Sequence, residues 1–254
     1  MHMFIKIGNL QIPGYGLMIV LGVLLANIIA FLLITKRKLN GYDFIILEGY
    51  GFLGAMAGAK LLYLFVVRHQ IDWIRMFELD YFSEQMRGGF VFYGGLIGGI
   101  LFLFLASKLH RIRLETYLKN FMFLIPLMHA FGRVGCHNAG CCYGRPYSGS
   151  LAVVFPADSL APAGVPLFPV QIIEAVLLFL LSMFVYKISK RVQDVTGVVI
   201  SYMIGYSIIR FGLEFFRNDE NRGFLFGMST SQWISIILFM LAIGILFKKI
   251  VKNK

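Results

Sequence analysis

Apolar residues run almost unbroken for a membrane-crossing distance seven times along the chain, with polar residues gathered between the runs. The runs lie near Gly14–Thr35, Tyr42–Val67, Gly88–Ser107, Leu114–Phe131, Pro169–Ile188, Thr196–Phe216 and Ser229–Ile250. A bilayer core demands roughly 20 apolar helical residues. The pattern therefore predicts an all-α integral membrane protein, a bundle of seven transmembrane helices forming a single transmembrane domain over residues 1–254. The fourth run is the shortest and is interrupted by Pro126. The first run is long enough to span and lacks a small-residue cleavage site, so it reads as a helix of the bundle rather than a removable signal.

Composition agrees. The chain is 58% hydrophobic and only 15% charged, with a mean hydropathy of +0.76, where a soluble domain carries about a quarter charged residues. The net charge of +11 does not point to nucleic acid, because the basic residues form no single stripe. They follow alternate runs: Lys36, Arg37 and Lys38; Lys108, Arg111 and Arg113; Lys187, Lys190 and Arg191; Lys248, Lys249, Lys252 and Lys254. The other loops, such as Asp72–Arg87 and Arg217–Arg222, mix Arg with Asp and Glu. The positive-inside rule then predicts an outer N-terminus and a cytoplasmic C-terminus. Residues 132–168, which include Pro146, Pro156, Pro162 and Pro166, form an outward-facing cap between helices 4 and 5 in this reading.

Chemistry concentrates in His129–Pro146, which holds Arg133, Arg145, His129, His137 and all three cysteines, Cys136, Cys141 and Cys142. Charge within or beside hydrocarbon is costly unless paired or facing a watery cavity, so such clusters mark sites. In the sixth run Tyr206, Arg210, Glu214 and Arg217 recur at helical spacing on one face. They make either an ion pair that fixes helix packing or a polar wall where Arg210 meets an anion; a guanidinium suits phosphate. Gln171 and Glu174 share a face at the start of the fifth run and could orient that arginine or cap the helix entrance. Lys60 and Tyr63 pair within the second run, Tyr15 opens the first, and Gly94, Gly95, Gly98 and Gly99 make the third glycine-rich, for close helix approach or for a lipid headgroup. The spacing Cys136-x4-Cys141-Cys142 differs from the paired C-x2-C units of structural zinc sites, and no metal is assigned. A metal site completed by His129 or His137, a disulfide, a nucleophilic thiol and simple packing of a turn all remain open for these cysteines.

Several of these pieces stand in a familiar order: Tyr15-Gly-Leu-Met18, Gly94-Gly95-Leu96-Ile97-Gly98, Gly132-Arg133-Val-Gly135, Tyr143-Gly144-Arg145-Pro146, Pro169-Val-Gln171-Ile-Ile-Glu174 and Arg210-Phe-Gly-Leu-Glu214-Phe-Phe-Arg217. In them the chain resembles the prolipoprotein diacylglyceryl transferase family, and a divergent cysteine-containing branch of it. The resemblance implies an enzyme of the bacterial cytoplasmic membrane working toward the outer leaflet without a cofactor. Such an enzyme moves the diacylglyceryl group of phosphatidylglycerol to the lipobox cysteine of a prolipoprotein signal peptide and releases glycerol phosphate. Arg133 and Arg210 fall on catalytic arginines. Tyr15, Lys60, Gly94, Gly95, Asn138, Gly144, Gln171, Glu174, Tyr206, Glu214 and Arg217 become substrate-binding or supporting positions. Tyr93 stands where the family has histidine, and a phenol near pKa 10 is a poor base at neutral pH, so His129, one turn before Arg133, is expected to take that role. A lipid transferase with a different acceptor thiol or a covalent cysteine intermediate, and a non-catalytic lipid-binding or transport protein, are the competing readings.

Overall fold

The computed structural model describes residues 4–7, 10–218 and 223–252; Arg222 and Lys254 of the charge pattern lie outside them. A short antiparallel hairpin, β1 (Phe4–Ile7) with β2 (Leu10–Pro13), leads into α1 (Gly14–Arg37). There follow α2 (Gly41–Val66), the short α3 (Leu79–Arg87), α4 (Phe92–Leu109), α5 (Leu114–Phe121) and α6 (Leu124–Ala139). Strands β3 (Val153–Val154) and β4 (Pro166–Leu167) precede α7 (Val170–Arg191) and α8 (Val195–Glu214), and the hairpin β5 (Phe224–Leu225) with β6 (Met228–Ser229) precedes α9 (Thr230–Lys252).

Six helices among the described residues are long and apolar enough to cross a membrane: α1, α2, α4, α7, α8 and α9. The expectation of seven differs at the fourth run, which is two helices, α5 and α6, rather than one. Pro126 is the reason. Its ring nitrogen has no hydrogen to offer the Met122 carbonyl, so a continuous helix is broken there and the proline sits instead in the first turn of α6, where a missing donor costs nothing. The Phe123 carbonyl left at the break accepts a hydrogen bond from Ser182 of α7 at 2.8 Å.

The chain divides into two compact units. One comprises Met1–Leu33 and Leu118–Lys254, the other Ile34–Tyr117. In the smaller unit α2 packs on α4 through glycines on both. A methyl group added at Gly58 would strike the Gly94 carbonyl, one at Gly94 the Gly58 carbonyl, and Gly54 and Gly98 stand in the same reciprocal relation. The glycine-rich start of the third run therefore serves backbone-to-backbone packing, the small-xxx-small arrangement that hydrocarbon favours. Lys60 of α2 donates to the carbonyls of Gln85, Gly88 and Gly89, and its ammonium lies over the Tyr63 and Phe90 rings at 4.9 and 5.0 Å. These contacts fasten the end of α3 to α2. Replacing Lys60 with methionine is expected to speed amide exchange of residues 85–90 about tenfold, the effect of losing one charge-assisted hydrogen bond. Hydrogen–deuterium exchange reads this, and unchanged exchange would refute the fastening role.

In the larger unit α6 packs on α7, α7 on α8 and α8 on α9. Asp194 caps α8 by accepting from the Thr196 amide and hydroxyl, and it meets Lys249 of α9 at 2.7 Å. The Lys249 ammonium, with the Thr196 amide, holds the Asp194 carboxyl down at about 2.

Candidate active site

The larger unit brings the arginines and their carboxylates into one region. Helix α6 runs unbroken through His129, Arg133 and Cys136, which at steps of four and three share a face. Glu174, buried in the second turn of α7, places a carboxylate oxygen 3.1 Å from Arg133 Nε. On α8, Arg210 meets Glu214 at 2.6 Å, and Arg217 lies 3.9 Å from the same carboxylate. Helix α9 adds Ser231, whose hydroxyl accepts from Arg210 at 2.9 Å. Ion pairs removed from water persist only when paired and hydrogen-bonded, and among the described residues Arg133, Arg210 and Arg217 meet Glu174 and Glu214 here. Arg210 Nη1 is buried with no hydrogen-bond partner among the described residues, and the Arg133–Glu174 contact is close in distance but not aligned for a hydrogen bond. The centre is rich in guanidinium and retains the Arg210 donor for an anion.

His129 packs its ring 5.7 Å from that of Tyr206, which stacks on Tyr202. Burial first, and then the charges of Arg133 and Arg210, oppose the addition of a positive charge to the imidazole. His129 is thus placed beside the centre, but in surroundings suited to a neutral ring rather than to storing a proton. Tyr15, at the start of α1, lays its ring and carbonyl against Gly135 of α6, within reach of the charge on Arg133. Asn138 is half-buried near the end of the same helix.

The cysteines follow from how α6 ends. Gly140 adopts a left-handed conformation, φ 75°, and the Cys141 amide turns back to the Cys136 carbonyl at 3.1 Å, a common helix stop. Cys142 takes φ 54°, which a non-glycine residue rarely holds. The turn folds the three thiols together: their sulfur atoms all lie within 4.8 Å of one another. Hydrogen bonds from Cys136 and Cys141, with Arg217 and Arg133 behind them, hold the Cys142 thiol below its ordinary value, while the hydrogen bonds with Cys136 and Cys142, together with burial, push Cys141 up. Gln171, itself buried, donates to the Cys141 carbonyl at 3.0 Å. The orienting role expected of Gln171 therefore falls on the cysteine turn.

Tyr143–Tyr147 continue as an extended segment clamped on both sides. Arg145 donates its amide to Phe216 and accepts from Phe168, each at 2.9 Å, and Asn218 donates to Tyr143 at 3.1 Å. Gly144 crosses the Phe168 carbonyl so closely that no side chain fits there. This ladder ties the cysteine turn to the end of α8 and sets Arg217 beside it. Beyond it, Phe155, Ala161 and Leu167 form a small apolar core with Tyr143, Val153 and Val165, and Phe155 also meets the His137 ring edge-on at 5.5 Å.

Lys60, Tyr93, Gly94 and Gly95 belong to the smaller unit. There Tyr93 opens α4 half-buried, its ring edge-on to Phe92. Gly95, like Gly94, faces α2, where an added methyl would lie 3.2 Å from the Ala55 carbonyl. Ser231 is the partner that sequence reasoning overlooked. A serine in the first turn of an apolar helix carries no distinguishing signal, and only the packing of α9 on α8 brings it to Arg210.

Fold and site together define a multi-pass helical membrane protein with a buried guanidinium-rich centre. The chain belongs to the prolipoprotein diacylglyceryl transferase family, whose model matches residues 2–248. Among similar proteins, phosphatidylglycerol–prolipoprotein diacylglyceryl transferase 2 of Clostridium perfringens (strain 13 / Type A) is 36% identical over 249 residues, covering 98% of this chain and 94% of the relative. The phosphatidylglycerol–prolipoprotein diacylglyceryl transferase of Clostridium tetani (strain Massachusetts / E88) is 35% identical over 237 residues, covering 93% and 92%. That of Bordetella parapertussis (strain 12822 / ATCC BAA-587 / NCTC 13253) is 31% identical over 250 residues, covering 95% and 92%.

Proposed function

We propose that this protein transfers the diacylglyceryl group of phosphatidylglycerol to the lipobox cysteine thiol of a prolipoprotein and releases glycerol phosphate. The names of the similar proteins support the donor and the acceptor class. The observation that carries the reading to this chain is the Arg210 Nη1 donor, buried and without a hydrogen-bond partner among the described residues. Phosphatidylglycerol presents a singly charged phosphodiester, and displacement at the adjoining glyceryl carbon turns it into a doubly charged phosphate monoester. Guanidiniums already held in place by Glu174 and Glu214 gain attraction as that charge grows, which favours the transition state over the bound lipid. Arg133 and Arg210 hold the phosphate in this scheme, while Tyr15, Tyr206, Asn138 and Arg217 shape the surrounding wall. The alternation of Lys/Arg clusters supports a cytoplasmic C-terminus, with the site turned to the outer leaflet of the bacterial cytoplasmic membrane.

The test is incubation of the purified protein with phosphatidylglycerol vesicles and a lipobox peptide, followed by mass spectrometry of the peptide and assay of glycerol phosphate. The expected result is a diacylglyceryl mass on the peptide cysteine with an equal amount of glycerol phosphate. Glycerol phosphate without modified peptide would overturn the acceptor, and neither product would overturn the activity.

A further inference from the structure

Three thiols within 4.8 Å of one another, on residues that the chain separates as Cys136-x4-Cys141-Cys142, are the chemical feature that the phosphate-holding scheme leaves unused. All three are free. Sulfurs around a tetrahedral zinc ion, with Zn–S near 2.3 Å, stand about 3.8 Å apart. The cluster thus needs to contract by about 1 Å at most, within reach of side-chain rotation alone. The scaffold is already built for it: the left-handed Gly140 and Cys142 and the Gln171 bond to the Cys141 carbonyl bring the turn back over the end of α6.

We propose that Cys136, Cys141 and Cys142 bind one zinc ion as three thiolates, and that the fourth coordination position receives the acceptor thiol. Thiolate ligands select soft, thiophilic cations, and a site with three protein ligands keeps a position open for substrate, as catalytic zinc sites do. Charge supports the choice. Zinc with three thiolates carries one net negative charge, and the charges of Arg217 and Arg133 both reach the cluster.

The metal answers a chemical need of the proposed function, on which this inference rests. Thioether formation requires a thiolate, and Glu174 and Glu214 are engaged by arginines, while burial and the neighbouring guanidiniums oppose protonation of the His129 ring. A thiol that coordinates zinc is deprotonated on binding, and its proton passes to water. Its sulfur then attacks the glyceryl carbon bonded to the phosphate oxygen. The new C–S bond forms as the C–O bond breaks, and that electron pair departs on the oxygen of glycerol phosphate, with no change of oxidation state. The product thioether is a neutral, weak ligand and leaves the metal.

The experiment measures metal in the full-length protein purified in detergent without chelators, and then titrates metal-stripped protein with cobalt(II), whose visible spectrum reports tetrahedral thiolate coordination. About one zinc per chain is expected, with a cobalt spectrum that shifts when a lipobox peptide is added and does not shift with its Cys→Ser counterpart. The Cys136→Ser/Cys141→Ser/Cys142→Ser variant, its helix content checked by circular dichroism, is expected to bind no cobalt; Cys142→Ser alone, at a position beyond the end of α6, should weaken cobalt binding at least about tenfold. Absence of metal with the cysteines reduced, a disulfide among them, or a cobalt spectrum indifferent to the peptide would each overturn the proposal. Full diacylglyceryl transfer by metal-stripped protein would overturn it while leaving the transferase reading intact. A peptide-responsive metal site with no transfer from phosphatidylglycerol would uphold the metal and overturn the transferase reading.

Discussion

Replacing Arg210 with alanine is expected to lower diacylglyceryl transfer about a thousandfold, the loss of roughly 4 kcal/mol of transition-state stabilisation that removing one well-placed charged donor brings. Arg210 meets Glu214 at 2.6 Å and Ser231 at 2.9 Å, and its Nη1 remains buried without a partner among the described residues. A donor held in place and left unused at rest is what a growing phosphate charge can exploit. Deleting one partner of a buried ion pair ordinarily costs about 3–5 kcal/mol of stability, which would confuse loss of activity with loss of fold. Here Arg217 lies 3.9 Å from the same carboxylate, so Glu214 keeps a counter-charge, and the alanine variant should retain its helix content and most of its thermal stability. Arg210→Lys preserves the charge but not the planar fork, and is expected to lose about ten- to a hundredfold. Arg133→Ala should lose activity to a similar extent as Arg210→Ala. Rates measured with phosphatidylglycerol vesicles and a lipobox peptide, beside melting curves, check all three. Wild-type rates in either alanine variant would sink the phosphate assignment.

The second large effect is structural. Gly58→Val and Gly94→Val should each prevent accumulation of folded protein in the membrane. Each added side chain meets the opposing helix's backbone carbonyl, which cannot move aside as a side chain can. Overpacking a core that can relax costs about 1–3 kcal/mol; here relaxation means separating α2 from α4 along the whole crossing, so the loss should exceed that range. Gly244→Val on α9 is the control, because an added group there meets nothing within 4 Å. Detergent extraction followed by thermal melting distinguishes them. Equal yields of Gly58→Val and Gly244→Val would show that the close crossing is dispensable.

The long apolar stretches of α1, α2, α4, α7, α8 and α9 were legible in the sequence because hydrophobic length is a local property that needs no partner. So was the pairing of Arg210 with Glu214, which helical spacing alone puts on one face. The fourth run reads as a short span interrupted at Pro126, and how the chain resolves that interruption is not a matter of hydropathy, which does not register a missing amide hydrogen. Pro126 left the run apolar and still divided it into α5 and α6. Lys60 suggested a ligand group by its position in an apolar run, and only the return of residues 85–89 over α2 showed carbonyls waiting for it.

By itself, then, the sequence determined that the chain is a helical membrane protein, where its charge collects, and which arginines and carboxylates share a helix face. These follow from residue type and a fixed helical period. Tertiary structure alone decided that Glu174 answers Arg133 across two helices, that Ser231 reaches Arg210 from a third, and that three cysteines spread over seven positions bring their sulfurs within 4.8 Å. Those depend on crossing geometry and on the left-handed conformations of Gly140 and Cys142. No spacing rule encodes them, because the distance between two side chains on different elements is set by how backbones pack rather than by how many residues lie between them.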